Sequence, residues 1–158
     1  SRIRIQQHTF TAKSKREFGI RKEFDCSTKR AEDELSKIIS RCRTPLEMAQ
    51  CIANTSKLIK MSVEEHYRKE LEENPKASYK EFATDDLLCI ILYVITRVPR
   101  PLFSCFEYIE TYHFSSLTTT ALGFHFGHFQ AASECLVRDF KKGTISTNTS
   151  NCSSDIKK

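Results

Sequence analysis

The sequence predicts an all-α fold, an irregular helical bundle of about five or six helices, and three observations carry that prediction. Four glycines and four prolines leave little material for tight hairpins or for loops that wrap a phosphate. Apolar residues recur at three- and four-residue steps through much of the chain, and no clear strand pattern interrupts them. The length of 158 residues suits one domain with one core and excludes a large multidomain enzyme. The balance of 39% apolar and 28% charged residues is that of a globular chain.

Taken in order, residues 1–28 mix Arg, Lys, Gln, Ser and Thr with isolated Phe10, Phe18, Ile20 and Phe24, without a sustained period. They read as a flexible or partly helical lead-in, which puts the helical domain at 29–142. From Ala31 to Cys42, Leu35, Ile38, Ile39 and Cys42 mark one face of a first helix. Thr44 as N-cap, Pro45 at the first helical position and Glu47 three residues after the cap open a second. Its apolar stripe is Leu46, Met48, Ala49, Ile52, Ala53, Leu58 and Ile59. The acidic stretch Val63 to Glu73 reads as a solvated segment ending at Asn74-Pro75.

Thr84 is the expected cap of a helix from Asp85 to about Val98. Leu87, Leu88, Ile90, Ile91, Leu92, Val94 and Ile95 cover nearly its whole circumference, so it should be the central helix. A buried strand is the rival for so many branched residues, but a dozen residues without a turn signal favours helix. Pro99 and Pro101 break the chain, and Leu102, Phe103, Phe106, Ile109 and Tyr112 give the next helix. A loop from His113 to Leu122 leads into a last helix, about Gly123 to Phe140, expected to turn Phe126, Phe129, Ala132, Ser133, Leu136, Val137 and Phe140 to the core. Residues 143–158 are polar and read as a disordered tail.

The net charge of +5 is unevenly spread: 1–43 carries +6, 44–83 carries −1, 84–140 carries −3 and 141–158 carries +3. A nucleic-acid binder would place Lys and Arg among its aromatics, yet the aromatic-rich third has only Arg97, Arg100 and Arg138, which argues against that partner. The basic ends suit a peripheral contact with an anionic membrane surface. The longest apolar run, Leu87 to Ile95, is too short for a transmembrane segment and no secretory h-region opens the chain, so a soluble, intracellular protein is expected. Seven cysteines, none in a C-x-x-C pair, read as reduced, buried, small hydrophobes rather than as a disulfide framework or a zinc site.

Three local features bear on chemistry. Asp85-Asp86 opens the most apolar helix; two first-turn carboxylates are explained first by the positive end of the helix dipole, which they offset, and second as charge presented to a cation on a partner. His125 and His128 stand three apart on one face, as metal ligands could, but no third ligand lies at a matching spacing, and the run Phe124-His125-Phe126-Gly127-His128-Phe129 reads more simply as a packing stripe with two polar tips. Arg97-Val98-Pro99-Arg100-Pro101 reads as a helix break flanked by solvated arginines.

The string Ala83-Thr84-Asp85-Asp86-Leu87-Leu88-Cys89-Ile90-Ile91-Leu92-Tyr93-Val94-Ile95 resembles the "A-D-D-L-L-P-x-L-x-Y-V" helix of the Vps-nine domain, the exchange module for Rab GTPases of the Rab five subfamily. Upstream, Thr44-Pro45-Leu46-Glu47-Met48, Cys51-Ile52 and Lys57-Leu58-Ile59 resemble the "T-P-x-E-K-L-x-C-I … K-L-I" helix of that family. Downstream, Leu102 through Glu107-Tyr108-Ile109 resembles its "L-x-S-x-x-x-Y-I" helix, and Gly123 to Leu136 takes the place of its "G-Y-Y-x-T-x-L-x-x-A" helix. Tyr112 to Leu117 and Phe129-Gln130-Ala131-Ala132 look most like the ankyrin-repeat members of the family.

The resemblance implies an exchange factor in endosomal trafficking, cytoplasmic and peripheral to endosomal membranes. Its partner would be a Rab-family small GTPase, which carries the nucleotide and magnesium, so the domain itself needs no cofactor. Asp85 matches the acidic residue that engages the phosphate-loop lysine and stabilises the empty GTPase, and Asp86, Cys89, Phe124, Gly127 and His128 are the residues expected at the GTPase contact. Three positions depart from the family pattern: Cys89 replaces a proline, Phe124 a tyrosine and Gly127 a threonine. These departures raise the alternative of a catalytically weakened scaffold that binds a GTPase or another trafficking partner without exchange. A hydrolase or a metal-binding protein is the third reading.

Overall fold

The computed structural model describes residues 13–78, 80–99, 102–112 and 120–141. Two short 3-10 turns, Lys15–Phe18 and Lys22–Phe24, precede five helices: α1 (Lys29–Ser40), α2 (Pro45–Glu73), α3 (Thr84–Arg97), α4 (Phe103–Tyr112) and α5 (Ala121–Lys141). The described residues contain no strand, and the all-α class predicted from the sequence is the class observed. The expected loop 113–122 lies mostly outside the described residues, and the expected tail 143–158 lies wholly outside them.

α1 buries Ala31, Leu35 and Ile38, one side chain per turn, against α2. α2 starts as its sequence dictates. The Thr44 hydroxyl accepts from the Glu47 amide at 3.2 Å, and the Glu47 carboxylate accepts from the Thr44 amide at 3.1 Å and the Arg43 amide at 2.7 Å. Those amides hold the Glu47 carboxyl below its ordinary pKa. Leu46 lies on the opposite side of this first turn from the core, 65% exposed, and is not part of the stripe.

The acidic stretch 63–73 is not a separate solvated segment. It is the second half of α2, which runs unbroken for 29 residues to Asn74. Val63 is buried and Tyr67 packs beside Phe24, so Ile59, Val63 and Tyr67 continue the buried face at four-residue steps. The glutamates occupy the outer face, where Glu65 pairs with Lys69 at 3.3 Å and reaches Arg30 of α1 at 4.0 Å.

α3 is the central helix, as its apolar circumference predicts. Leu87 to Ile91 and Val94 to Thr96 are buried, and the helix packs against α1, α2, α5 and the turn Lys15–Phe18. Its N-cap is Ala83 rather than Thr84, which is the first helical residue. The capping oxygen comes from Asp86, whose Oδ2 accepts from the Ala83 amide at 2.9 Å.

α4 buries Phe106 and Ile109 behind Leu102, while Phe103 and Tyr112 face outward although their spacing placed them in the stripe. Phe106 meets Phe126 edge to face at 6.0 Å and Glu110 accepts from Gln130 at 3.3 Å, which ties α4 to α5. α5 buries Phe126, Phe129, Ala132 and Ser133 as expected, but exposes Val137; the side chain of Phe140 lies outside the described residues.

The lead-in contributes to the core. Phe18, Ile20, Phe24 and Cys26 are buried, and the same hydrophobic cluster holds them with α3. Phe18 packs edge to face on Tyr93 at 5.6 Å, and Phe24 does so on Phe82 at 5.1 Å. The free thiols of Cys26, Cys51 and Cys89 are buried and those of Cys42 and Cys105 half-buried; Cys135, expected to be reduced, is disulfide-bonded. No helix of the described residues is long and apolar enough to cross a membrane.

Candidate functional site

The sequence-predicted residues fall into two groups on adjacent helices. Asp85, Asp86 and Cys89 belong to the first two turns of α3, whereas Phe124, Gly127 and His128 share one face at the start of α5, and these two helices pack directly on each other.

The two aspartates differ in environment despite being neighbours. Asp85 is exposed at the first turn, where the helix dipole favours negative charge. The Asp86 side chain is only 12% exposed and its acceptors are used within the chain. Arg21 grips it with two prongs, Nε to Oδ1 and Nη2 to Oδ2, both at 2.8 Å, and Oδ2 also takes the Ala83 amide. Asp86, one of the residues expected at the partner contact, is thus bonded within the chain to Arg21 and to the start of its own helix, and anchors the turn that carries Asp85.

Cys89 is buried beneath that turn, and burial, with the nearby Asp86 and Asp85 charges, pushes its thiol up to about 11. Its side chain belongs to the hydrophobic core. An inert thiol at this place also argues against a cysteine nucleophile.

On α5, Phe124 is 59% exposed and stacks edge to face on His128 at 4.5 Å and on His125 at 5.6 Å. Gly127 is exposed, and a Cβ built there meets nothing within 4 Å, so the position is open to a side chain. His128 is buried, its Nδ1 without a hydrogen-bond partner among the described residues, as is that of His125. No group of three or more His, Cys, Asp or Glu among the described residues is arranged to hold a metal ion. Arg21 is the site residue that sequence reading missed: one of twelve basic residues before position 44, with no local signal to single it out.

Burial lowers the pKa of both histidines, with Lys60 beside each and His128 and Lys57 also acting on His125. Below about pH 6.5, the ordinary histidine value, the unfolded chain therefore binds more protons than the folded one. The stability they contribute is complete above that value and is lost as the pH falls below it. We expect the urea midpoint to drop between pH 7.5 and 5.5, and the drop to shrink in His128→Gln; an equal drop in the variant would remove His128 from the account. Glu17 and Glu47, whose pKa values are lowered by backbone amides, lose their contribution only below about 4.5, so the two windows separate.

Fold and site together give an all-helical domain whose buried central helix carries an exposed carboxylate in its first turn and packs on a helix with an exposed aromatic ring. The family model of the vacuolar sorting protein 9 (VPS9) domain matches residues 28–141, and the chain belongs to that family. VPS9 domains act generally as exchange modules on Rab GTPases. No curated protein and no solved structure gives a significant match to the chain.

Proposed function

We propose that this domain is a guanine-nucleotide exchange factor for Rab GTPases of the Rab five subfamily, acting at the cytosolic face of endosomal membranes, with Asp85 as the residue that stabilises the empty GTPase. The observation that carries this reading is the arrangement at the start of α3: Asp86 is bound by Arg21 inside the domain, and Asp85, one residue earlier, is exposed in the first turn of a helix buried along most of its length. When a nucleotide leaves, the lysine of the GTPase phosphate loop loses the negative charge it was paired with. A carboxylate delivered on a fixed helix replaces that charge, and the empty state becomes cheaper to reach. The domain forms and breaks no covalent bond in this scheme.

The test is release of a fluorescent GDP analogue from a panel of Rab five subfamily GTPases, with and without the domain at micromolar concentration. Acceleration on one or more of them is the expected result, and the member that responds names the substrate. No acceleration on any member overturns the reading.

A second reading, a scaffold that binds a GTPase without exchange, is favoured by one observation: the α5 face carries Phe124, which has no hydroxyl, beside the open surface at Gly127. The double variant Phe124→Tyr, Gly127→Thr separates the two readings. Space at 127 admits the threonine, and Thr is a better helix former than Gly by several tenths of a kcal/mol, so the fold should not suffer. A weakened exchange factor gains rate from the added hydroxyls, as seen in the same GDP-release measurement; a scaffold of unrelated mechanism does not.

A further inference from the structure

The segment ahead of α1 lies before the stretch that matches the family, yet it is built onto the site. It is a closed belt. Gly19, at φ 81°, reverses the chain between the buried Phe18 and Ile20, a backbone conformation that a side chain would strain. Lys15 then bridges to the far end, its Nζ 2.8 Å from Asp25 Oδ1 and 2.6 Å from the Cys26 carbonyl oxygen. Arg21 stands at the middle of the belt, its guanidinium 4.7 Å above the ring of the buried Phe24.

From that position Arg21 ties three pieces of chain together. Its two-pronged bond holds Asp86, its Nη2 also donates to the Glu81 carbonyl at 2.9 Å, and Asp86 in turn holds the Ala83 amide. The belt, the segment leading into α3 and the first turn of α3 are thus one hydrogen-bonded unit. At the same time the guanidinium neutralises the carboxylate adjacent to Asp85. Without it, Asp86 would keep a largely buried charge with one amide to compensate it, and would turn outward toward whatever cation Asp85 meets.

Resting on the exchange reading above, we propose that Arg21 is a positioning residue for exchange: it fixes the turn that carries Asp85 and keeps Asp86 out of the GTPase site, without itself touching the GTPase. The belt is then a device that sets the rate of exchange, supplied from outside the stretch that matches the family.

Four variants test this in the GDP-release measurement, each read at limiting and at saturating domain concentration: Arg21→Ala, Arg21→Lys, Asp86→Asn and the double variant Arg21→Ala, Asp86→Asn. Arg21→Ala is expected to lower the saturating release rate about tenfold, the scale of a small misplacement of a reacting group, with little change in the concentration that half-saturates it. Arg21→Lys, which keeps the charge but offers no planar fork, recovers part of the loss. The double variant is no slower than Arg21→Ala alone, because the two side chains act as a unit. Circular dichroism should show unchanged helix content, since Phe18, Ile20 and Phe24 still seat the belt.

Arg21→Ala at the wild-type rate overturns the proposal and leaves the exchange reading standing. So does a loss confined to the half-saturating concentration, which would make Arg21 a direct contact, or strictly additive losses in the double variant. A wild-type domain that accelerates no GTPase overturns the exchange reading, and this inference with it.

Discussion

Replacing Asp85 by Ala should lower the accelerated rate of GDP release by about 100-fold, the usual scale for removing one preorganised charged partner from a reacting site. The fold should hardly notice. Asp85 is exposed, its neighbour Asp86 makes the cap to Ala83, and loss of one exposed first-turn carboxylate costs about 0.5 kcal/mol through the helix dipole. Asp85→Asn sharpens the test, for the amide keeps the size and one acceptor but not the charge. Under the electrostatic mechanism it falls nearly as far as the alanine variant. An asparagine variant that exchanges at the wild-type rate would show that shape, not charge, opens the GTPase. Unfolding curves for both variants should overlay the wild type to within about 1 kcal/mol, so that a lost rate cannot be put down to a lost fold.

The largest effect on stability is expected at Phe24→Ala. This ring is 2% exposed, stands edge to face with Phe82 at 5.1 Å, lies 6.2 Å from Tyr67 and carries the Arg21 guanidinium on its face. Truncating a buried phenylalanine costs about 3–5 kcal/mol in lost burial and residual cavity. For a domain of this size that corresponds to a fall of roughly 10 °C in Tm, measured by thermal unfolding. A change of less than about 1 kcal/mol at Phe24 would mean that the belt is not part of the cooperative unit.

Most of the helices are legible in the sequence because each has a strong local signature. Thr44-Pro45 with Glu47 announces the start of α2 to the residue, since capping is a contest settled within four residues. The α3 run from Leu87 to Ile95 is apolar on every side, and only the centre of a bundle can accommodate such a helix. Phe126, Phe129 and Ala132 set the buried face of α5 in the same way.

Where the reading failed, the deciding interaction was not local. Ile59, Val63 and Tyr67 mark a continuing helical face at four-residue steps, but five glutamates between Glu64 and Glu73 outweigh them in composition, and the burial of Val63 and the contact of Tyr67 with Phe24 are made with segments distant in sequence. Leu46, Phe103, Tyr112 and Val137 stand at helical spacing and yet face outward, because a helix buries only as much of its stripe as its neighbours cover. Thr84 looked like the cap, but Asp86 supplies the capping oxygen and Ala83 takes the position.

The candidate site divides in the same manner. Asp85-Asp86 at the head of an apolar helix, and the aromatic and histidine run of α5, can be read directly from the chain. That Asp86 is bound within the domain cannot, because its partner is Arg21, 65 positions away in sequence. The sequence by itself determined the helical class, the central helix and the acidic pair at its start, all of which depend on interactions among residues a few positions apart. Only the tertiary structure decided that the lead-in belongs to the core, that Cys89 is buried and that Asp86 is bound by Arg21, because burial and ion pairing between distant segments are properties of the packed chain and leave no periodic trace in it.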